Sequence, residues 1–160
     1  MKKLNFIIKC GLALLLLSFY SCESWLNVTP SDRLSEEMLF NDREGFVKAL
    51  NGVYIELNTN ELYGRNLTAG ALDVMGQYYS VASSSHAFYN YGGLVYTGND
   101  EKALFDNMWQ KCYAVIACCN TIIEKCDENK AGLSPVWRGS IKGEALALRA
   151  MLHFDMLRLF

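Results

Sequence analysis

Apolar residues recur at helical spacing along most of the chain after residue 41, and the first clear stretch runs from Asn41 to Asn58. Asn41 is predicted to cap this helix and Glu44 to complete a capping box, because a Glu three residues after the cap can reach back to its backbone N–H. Steps of three and four residues place the apolar side chains on one side: Phe46, Leu50, Val53, Tyr54 and Leu57. A weaker pattern predicts another helix over Leu67 to Gln77.

The most regular pattern in the chain runs from Glu101 to Asn129, and Asn99 or Asp100 is expected to cap its start. Alternating four- and three-residue steps form a heptad-like seam for packing against another helix: Phe105, Trp109, Cys112, Ile116, Cys119, Ile123 and Cys126. Ser134 and Pro135 then predict a last helix, with serine as the cap and proline at the first helical position. Its apolar stripe consists of Trp137, Ile141, Ala145, Leu148, Leu152, Met156 and Leu159.

That last stripe continues to Phe160 without a glycine, a cap or a polar tail. Its final apolar side chains are expected to need a packing partner, because large exposed apolar patches are rare on soluble domains. We therefore expect residues 41–160 to be the incomplete amino-terminal part of a longer helical domain.

The segment before the strongest helix pattern has an unusual composition. No charged residue occurs between Asp73 and Asp100, and tyrosines and serines dominate the segment. Gly92-Gly93 predicts a two-residue β-hairpin turn between two short strands. Strand alternation would then place four side chains on one mostly tyrosine face: Tyr89, Tyr91, Leu94 and Tyr96.

The amino-terminal residues are typical of an export signal. Lys2 and Lys3 precede a short apolar stretch over residues 11–20, which is shorter than the roughly 20 residues that a membrane-spanning helix needs. Small Ser21 before Cys22 predicts cleavage by a lipoprotein signal peptidase and attachment of lipid to the Cys22 thiol. Residues 1–21 would be the signal peptide, and 22–40 a tether and a short first helix. The alternative is ordinary cleavage after Ser24 of a plain secreted protein.

Composition and spacing argue against several other functions. A formal net charge of −2 gives no electrostatic footprint for nucleic acid. Cys112, Cys119 and Cys126 follow one another at intervals of seven residues. Seven residues span roughly 10 Å along a helix, which is too far for a disulfide between any two of them. We expect four cysteines to be small buried hydrophobes without a metal: Cys112, Cys118, Cys119 and Cys126.

Catalysis finds little support in the sequence. Glu144, Arg149, His153 and Asp155 crowd one stretch, but Glu144 and His153 would lie over roughly 13 Å apart along a helix. No nucleophile elbow or phosphate loop occurs, and no catalytic residue is assigned. Asn120 is expected to hydrogen-bond an adjoining helix.

Five stretches in order resemble the amino-terminal part of the SusD/RagB family of nutrient-binding outer-membrane lipoproteins. They are the signal ending at Cys22, "WLNVTPSDRLSEEMLF" (25–40), "EGFVKALNGVY" (44–54), "MWQKCYAVIACCNTIIE" (108–124) and "KGEALALRAMLHFDMLRLF" (142–160). The resemblance implies a mostly α fold of tetratricopeptide-like helical pairs, with an irregular aromatic-rich insertion. It further implies a lipid-anchored protein at the cell surface, without catalytic activity, that delivers oligosaccharide or another nutrient to a TonB-dependent, SusC-like transporter. In this family Glu144 and Arg149 would have helix-packing roles.

The charge-free segment suits sugars, because tyrosine rings can pack on C–H faces while neutral polar groups bind hydroxyls. The candidate contacts are Tyr78, Tyr79, His86, Tyr89, Asn90 and Tyr91. The alternative for each ring is simple packing of a hairpin against helices. A second function remains open, a membrane-tethered helical-repeat adaptor that binds only proteins.

Overall fold

The computed structural model describes residues 35–160, in which helices predominate and no β-strand occurs. The helices of this range are α1 (Glu36–Leu39), α2 (Arg43–Leu57), α3 (Ala71–Met75), α4 (Tyr89–Gly92), α5 (Asn99–Glu128) and α6 (Pro135–Leu159). None of them combines the length and apolarity needed to cross a membrane. The mostly α class is confirmed, and the short helix α1 lies within the range 22–40 assigned to the tether and first helix. The predicted signal peptide and the Cys22 lipidation site lie outside the described residues.

The two longest helices, α5 and α6, pack against each other in opposite directions. Four interhelical contacts give their register: Trp109 with Phe160, Cys112 with Leu152, Asn120 with Arg149, and Asp127 with Lys142. A connection of only six residues, 129–134, joins the helices, and such short links make antiparallel neighbours. The α2 helix packs against both of them and completes a three-helix core.

The seam on α5 is rotated relative to its prediction. Cys112, Cys119 and Cys126 are buried and carry free thiols, as predicted, but Cys118 is exposed. Trp109 is 43% exposed, whereas Met108 beside it is 1% exposed. The most buried stripe therefore follows another set of four- and three-residue steps: Met108, Cys112, Val115, Cys119, Ile122 and Cys126. The predicted Ile116 is buried beside this stripe. Both sets share every second position, so periodicity alone did not distinguish them.

Two predicted N-caps are wrong. Asp42, not Asn41, caps α2, because its carboxylate accepts a hydrogen bond of 2.8 Å from the Gly45 backbone N–H. Gly45 packs so closely under α1 that an added Cβ would overlap the carbonyl oxygen of Leu39. The α5 helix begins after Gly98, which supplies no side-chain cap, so neither Asn99 nor Asp100 is the N-cap.

The start of α6 and the polar links between the long helices agree with expectation. Ser134 accepts a hydrogen bond from the Trp137 N–H, with Pro135 at the first helical position. Arg149 donates to the Asn120 side chain across 2.8 Å, which confirms the interhelical role of both residues.

Three further positions of the predicted helices are resolved by the structure. Glu144 accepts a hydrogen bond from the Tyr54 hydroxyl, so its predicted packing role is also confirmed. Tyr54 itself is 43% exposed and Trp137 is 44% exposed, so neither belongs to the buried stripe of its helix. The weaker helix predicted over Leu67 to Gln77 corresponds to α3, which is shorter and occupies only Ala71–Met75.

The seam predicts a contrast between two leucines of α6. Leu152 is fully buried and Leu157 is 78% exposed. Leu152→Ala should lower the free energy of unfolding by about 3 kcal/mol, because it leaves a cavity in the seam. Leu157→Ala should change it by less than about 0.5 kcal/mol. Urea titration of both variants measures the difference, and equal losses would contradict this packing.

Candidate functional site

The tyrosine-rich segment between α3 and α5 does not form the predicted hairpin. Residues 89–92 form the short helix α4, and residue 94 has a positive φ of 55°. The favoured two-residue turns of β-hairpins need positive φ at a central residue. Gly93 has a φ of −86°, and Gly92 is not among the glycines with positive φ. The two glycines therefore belong to a helical turn and its end, and the predicted alternation of faces is wrong.

Tyr91 is the aromatic anchor of this segment. It is only 2% exposed and its ring lies 5.9 Å from Phe88, 6.2 Å from Tyr96 and 6.0 Å from Phe105, measured between ring centroids. Burial, assisted by the nearby negative charge of Glu101, raises the pKa of Tyr91 to about 12. Tyr91 thus fixes the segment to α5, and its ring is not on the surface where a ligand contact was predicted.

Other predicted contacts surround a shallow depression with a volume of about 370 Å³. Its lining residues are Gln77, Tyr79, Ser80, Val81, Tyr89, Asn90, Gly92, Gly93 and Val95. Tyr79 is 55% and Tyr89 is 42% exposed. The structure therefore brings together three of the predicted contacts, Tyr79, Tyr89 and Asn90, and among residues 35–160 no charged side chain lines the depression.

Tyr78 and His86 are not part of that lining. Tyr78 is 81% exposed beside it. His86 accepts a hydrogen bond of 3.1 Å from the Phe88 N–H through Nδ1, so it stabilises a local turn.

Sequence reasoning missed Gln77. Its backbone has a positive φ of 61°, and its side-chain Nε2 donates to the Gly92 carbonyl across 2.9 Å. This bond joins the two ends of the depression. No sequence pattern predicts this bond, because Gln77 and Gly92 are fifteen positions apart.

Glu101 was also missed as part of the site. It is 6% exposed, and its Oε1 accepts a hydrogen bond of 2.7 Å from Asn90 Nδ2. The pKa of Glu101 lies below its ordinary value, first because of this bond and then because of its own backbone N–H. A signal existed, since Glu at the third position of a helix is where a capping box places an acidic residue.

The sequence of the chain is similar to those of known proteins. Residues 24–160 match the sequence profile of a SusD-like family described as starch-binding and associating with the outer membrane. The chain belongs to the SusD-like family. SusD-like protein P2 of Formosa agariphila is 25% identical over 163 aligned residues, which cover 99% of this chain and 29% of that protein. The chain thus spans less than a third of that relative's length. No solved structure gives a significant match.

The titratable residues that crowd one stretch of α6 in this SusD-like chain make separate contacts with different neighbours. Buried Asp155 accepts hydrogen bonds from the Tyr63 hydroxyl and from Arg158. The His153 ring lies 6.1 Å from the Tyr113 ring, centroid to centroid. Within residues 35–160, no three His, Cys, Asp or Glu side chains are grouped to hold a metal ion.

The two tyrosines of α4 should respond differently to truncation. Tyr91→Ala should lower the free energy of unfolding by about 3 kcal/mol, because it empties an aromatic cluster. Tyr89→Ala should cost less than about 1 kcal/mol, because its ring is partly in solvent. Denaturant titration measures both, and a hairpin with the two rings on one face would instead give similar losses.

Proposed function

We propose that this SusD-like chain is part of a surface lipoprotein that binds a neutral oligosaccharide at the Tyr79–Tyr89 depression. The bound sugar is passed, chemically unchanged, to a TonB-dependent transporter of the outer membrane. The observation that carries the proposal is a depression with two exposed tyrosine rings, amide groups and no charged lining, in a family described as starch-binding.

The chemistry of the depression matches the chemistry of a neutral sugar. Ring C–H faces pack on aromatic faces, and the side-chain amides of Gln77 and Asn90 can bind hydroxyl groups. A charged ligand would favour an arginine, lysine or carboxylate in the lining, where the described residues supply none. Shallow shape suits a polymer segment that remains accessible for transfer.

Removing both exposed rings tests the binding site. Tyr79→Ala combined with Tyr89→Ala should weaken binding to amylopectin or another neutral polysaccharide about tenfold, at about 0.5–1.5 kcal/mol per aromatic contact. Affinity electrophoresis of the full-length protein in polysaccharide gels measures retention.

The control for this test is Tyr113→Ala, which removes an exposed tyrosine from α5 outside the depression. The control should migrate like the wild type. If the double variant keeps full retention with an unchanged fold, the sugar site lies elsewhere. If the wild-type protein migrates identically with and without every glycan, a protein-binding adaptor becomes the better account.

Membrane attachment is proposed to depend on lipid at Cys22. Cys22→Ser should deplete the protein from the outer-membrane fraction, because it removes the sulfur that would carry the acyl chains, and two or more buried acyl chains provide durable anchoring. Cell fractionation with immunodetection follows the protein, and mass spectrometry of the mature amino terminus detects the lipid. Cys118→Ser is the matched control, because this exposed thiol lies on α5. A mature wild-type amino terminus whose Cys22 carries no lipid would contradict the anchor.

Delivery to a transporter is the part of the proposal that follows from the resemblance. Co-purification of a SusC-like transporter with the tagged full-length protein from outer membranes would support it. Absence of any transporter from a purification that retains the lipid anchor would oppose it.

A further inference from the structure

Behind the depression, the carboxylate of Glu101 is confined by its surroundings. Glu101 is the third residue of α5, and it is 6% exposed. A Cβ added at Gly98 would overlap its Oε2, so the glycine leaves the space that this oxygen occupies. The other oxygen, Oε1, accepts the bond from Asn90 Nδ2. Both oxygens thus have fixed surroundings.

This confinement determines the direction of the Asn90 amide. An ionised carboxylate only accepts hydrogen bonds, so the amide nitrogen of Asn90 must face Glu101. The Asn90 oxygen, Oδ1, then receives no hydrogen bond from the described residues, although Asn90 lines the depression. The ambiguity between amide oxygen and nitrogen is therefore resolved by chemistry.

The turn that carries Asn90 is held on two sides. The backbone carbonyl of Asn90 accepts from the Val95 N–H across 2.8 Å, and Gln77 binds the Gly92 carbonyl across 2.9 Å. Glu101 adds a hydrogen bond between this turn and the first turn of α5. Groups fixed before binding lose less conformational freedom when a ligand arrives.

We propose that Glu101 is a positioning residue of the sugar-binding depression, which holds Asn90 so that its Oδ1 accepts a hydrogen bond from a sugar hydroxyl. The inference rests on the proposed function and adds the direction of one hydrogen bond between protein and sugar. At this position the ligand is the donor and the protein is the acceptor.

Three variants of the full-length protein separate the position of the side chain at residue 90 from its chemical identity: Asn90→Asp, Glu101→Gln, and both together. Asn90→Asp places two carboxylates at hydrogen-bonding distance, where they repel each other. Glu101→Gln keeps an acceptor for the Asn90 amide, though a neutral one, which is weaker. In the double variant the new amide at 101 can donate to the new carboxylate at 90, so the link is restored with its polarity reversed.

Hydrogen–deuterium exchange of residues 88–97, without any ligand, measures how firmly the turn is held. We expect exchange about tenfold faster in Asn90→Asp, since breaking a partly buried hydrogen bond to a charged group has that order of effect. It should be within about twofold of wild type in Glu101→Gln, because a neutral acceptor remains. The double variant should recover most of the protection. Amides of residues 115–122 in α5 serve as the internal control and should not change.

Calorimetry with maltoheptaose measures how much the Glu101–Asn90 link contributes to sugar affinity. Affinity should fall about tenfold in Asn90→Asp and recover to within about threefold in the double variant, following the exchange data. If exchange in the double variant stays as fast as in Asn90→Asp, the positioning role is overturned. If exchange recovers but affinity does not, the acceptor role of Asn90 is overturned. If wild type binds no maltoheptaose while exchange follows the expected order, the proposed sugar-binding function fails for this starch oligosaccharide, and the Glu101–Asn90 link stands.

Discussion

The close packing of α5 on α6 is the constraint on which the described structure depends. Small side chains at seven-residue intervals, Cys112, Cys119 and Cys126, are fully buried on α5, and Ala145 is fully buried on α6. Such small residues let two helices approach closely. Burial also raises the pKa of the Cys112 thiol to about 11, so the thiol remains uncharged and serves as a small apolar group. The seam thus uses cysteine as a small buried side chain for helix packing.

The depression depends on that seam because its supports come from the first turns of α5. Phe105 packs on Tyr91, and Glu101 binds Asn90, so two consecutive turns of one helix hold the segment. The same region of α5 meets the end of α6, since the Phe160 ring lies 6.1 Å from Phe105 between centroids. A shift of α5 along α6 would therefore move the aromatic anchor and the carboxylate together. Core packing and site geometry are linked through one helix.

The sequence predicted the features that arise from local periodicity or local chemistry. The long helices, the Ser134 cap and the link between Asn120 and Arg149 fall in this class. The hairpin failed because a pair of glycines permits positive φ but does not require it. Burial of Tyr91 against Phe105, fourteen residues away, favoured the helical turn. The exact α2 cap was beyond prediction for a related reason. Asn41 and Asp42 have similar capping chemistry, and the close contact of Gly45 with α1 decided between them.

The charge-free segment divides its aromatic residues between two tasks, and that division has a consequence for specificity. Tyr91 is buried and fixes the segment, whereas Tyr79 and Tyr89 are exposed at the depression. The ring whose burial stabilises the segment is therefore not one of the two rings that remain accessible at the depression. Exposed rings can change identity at small cost in stability, because little of their surface is buried by the fold. Under the proposed function, changes at Tyr79 and Tyr89 would alter sugar specificity while the helical support remains the same.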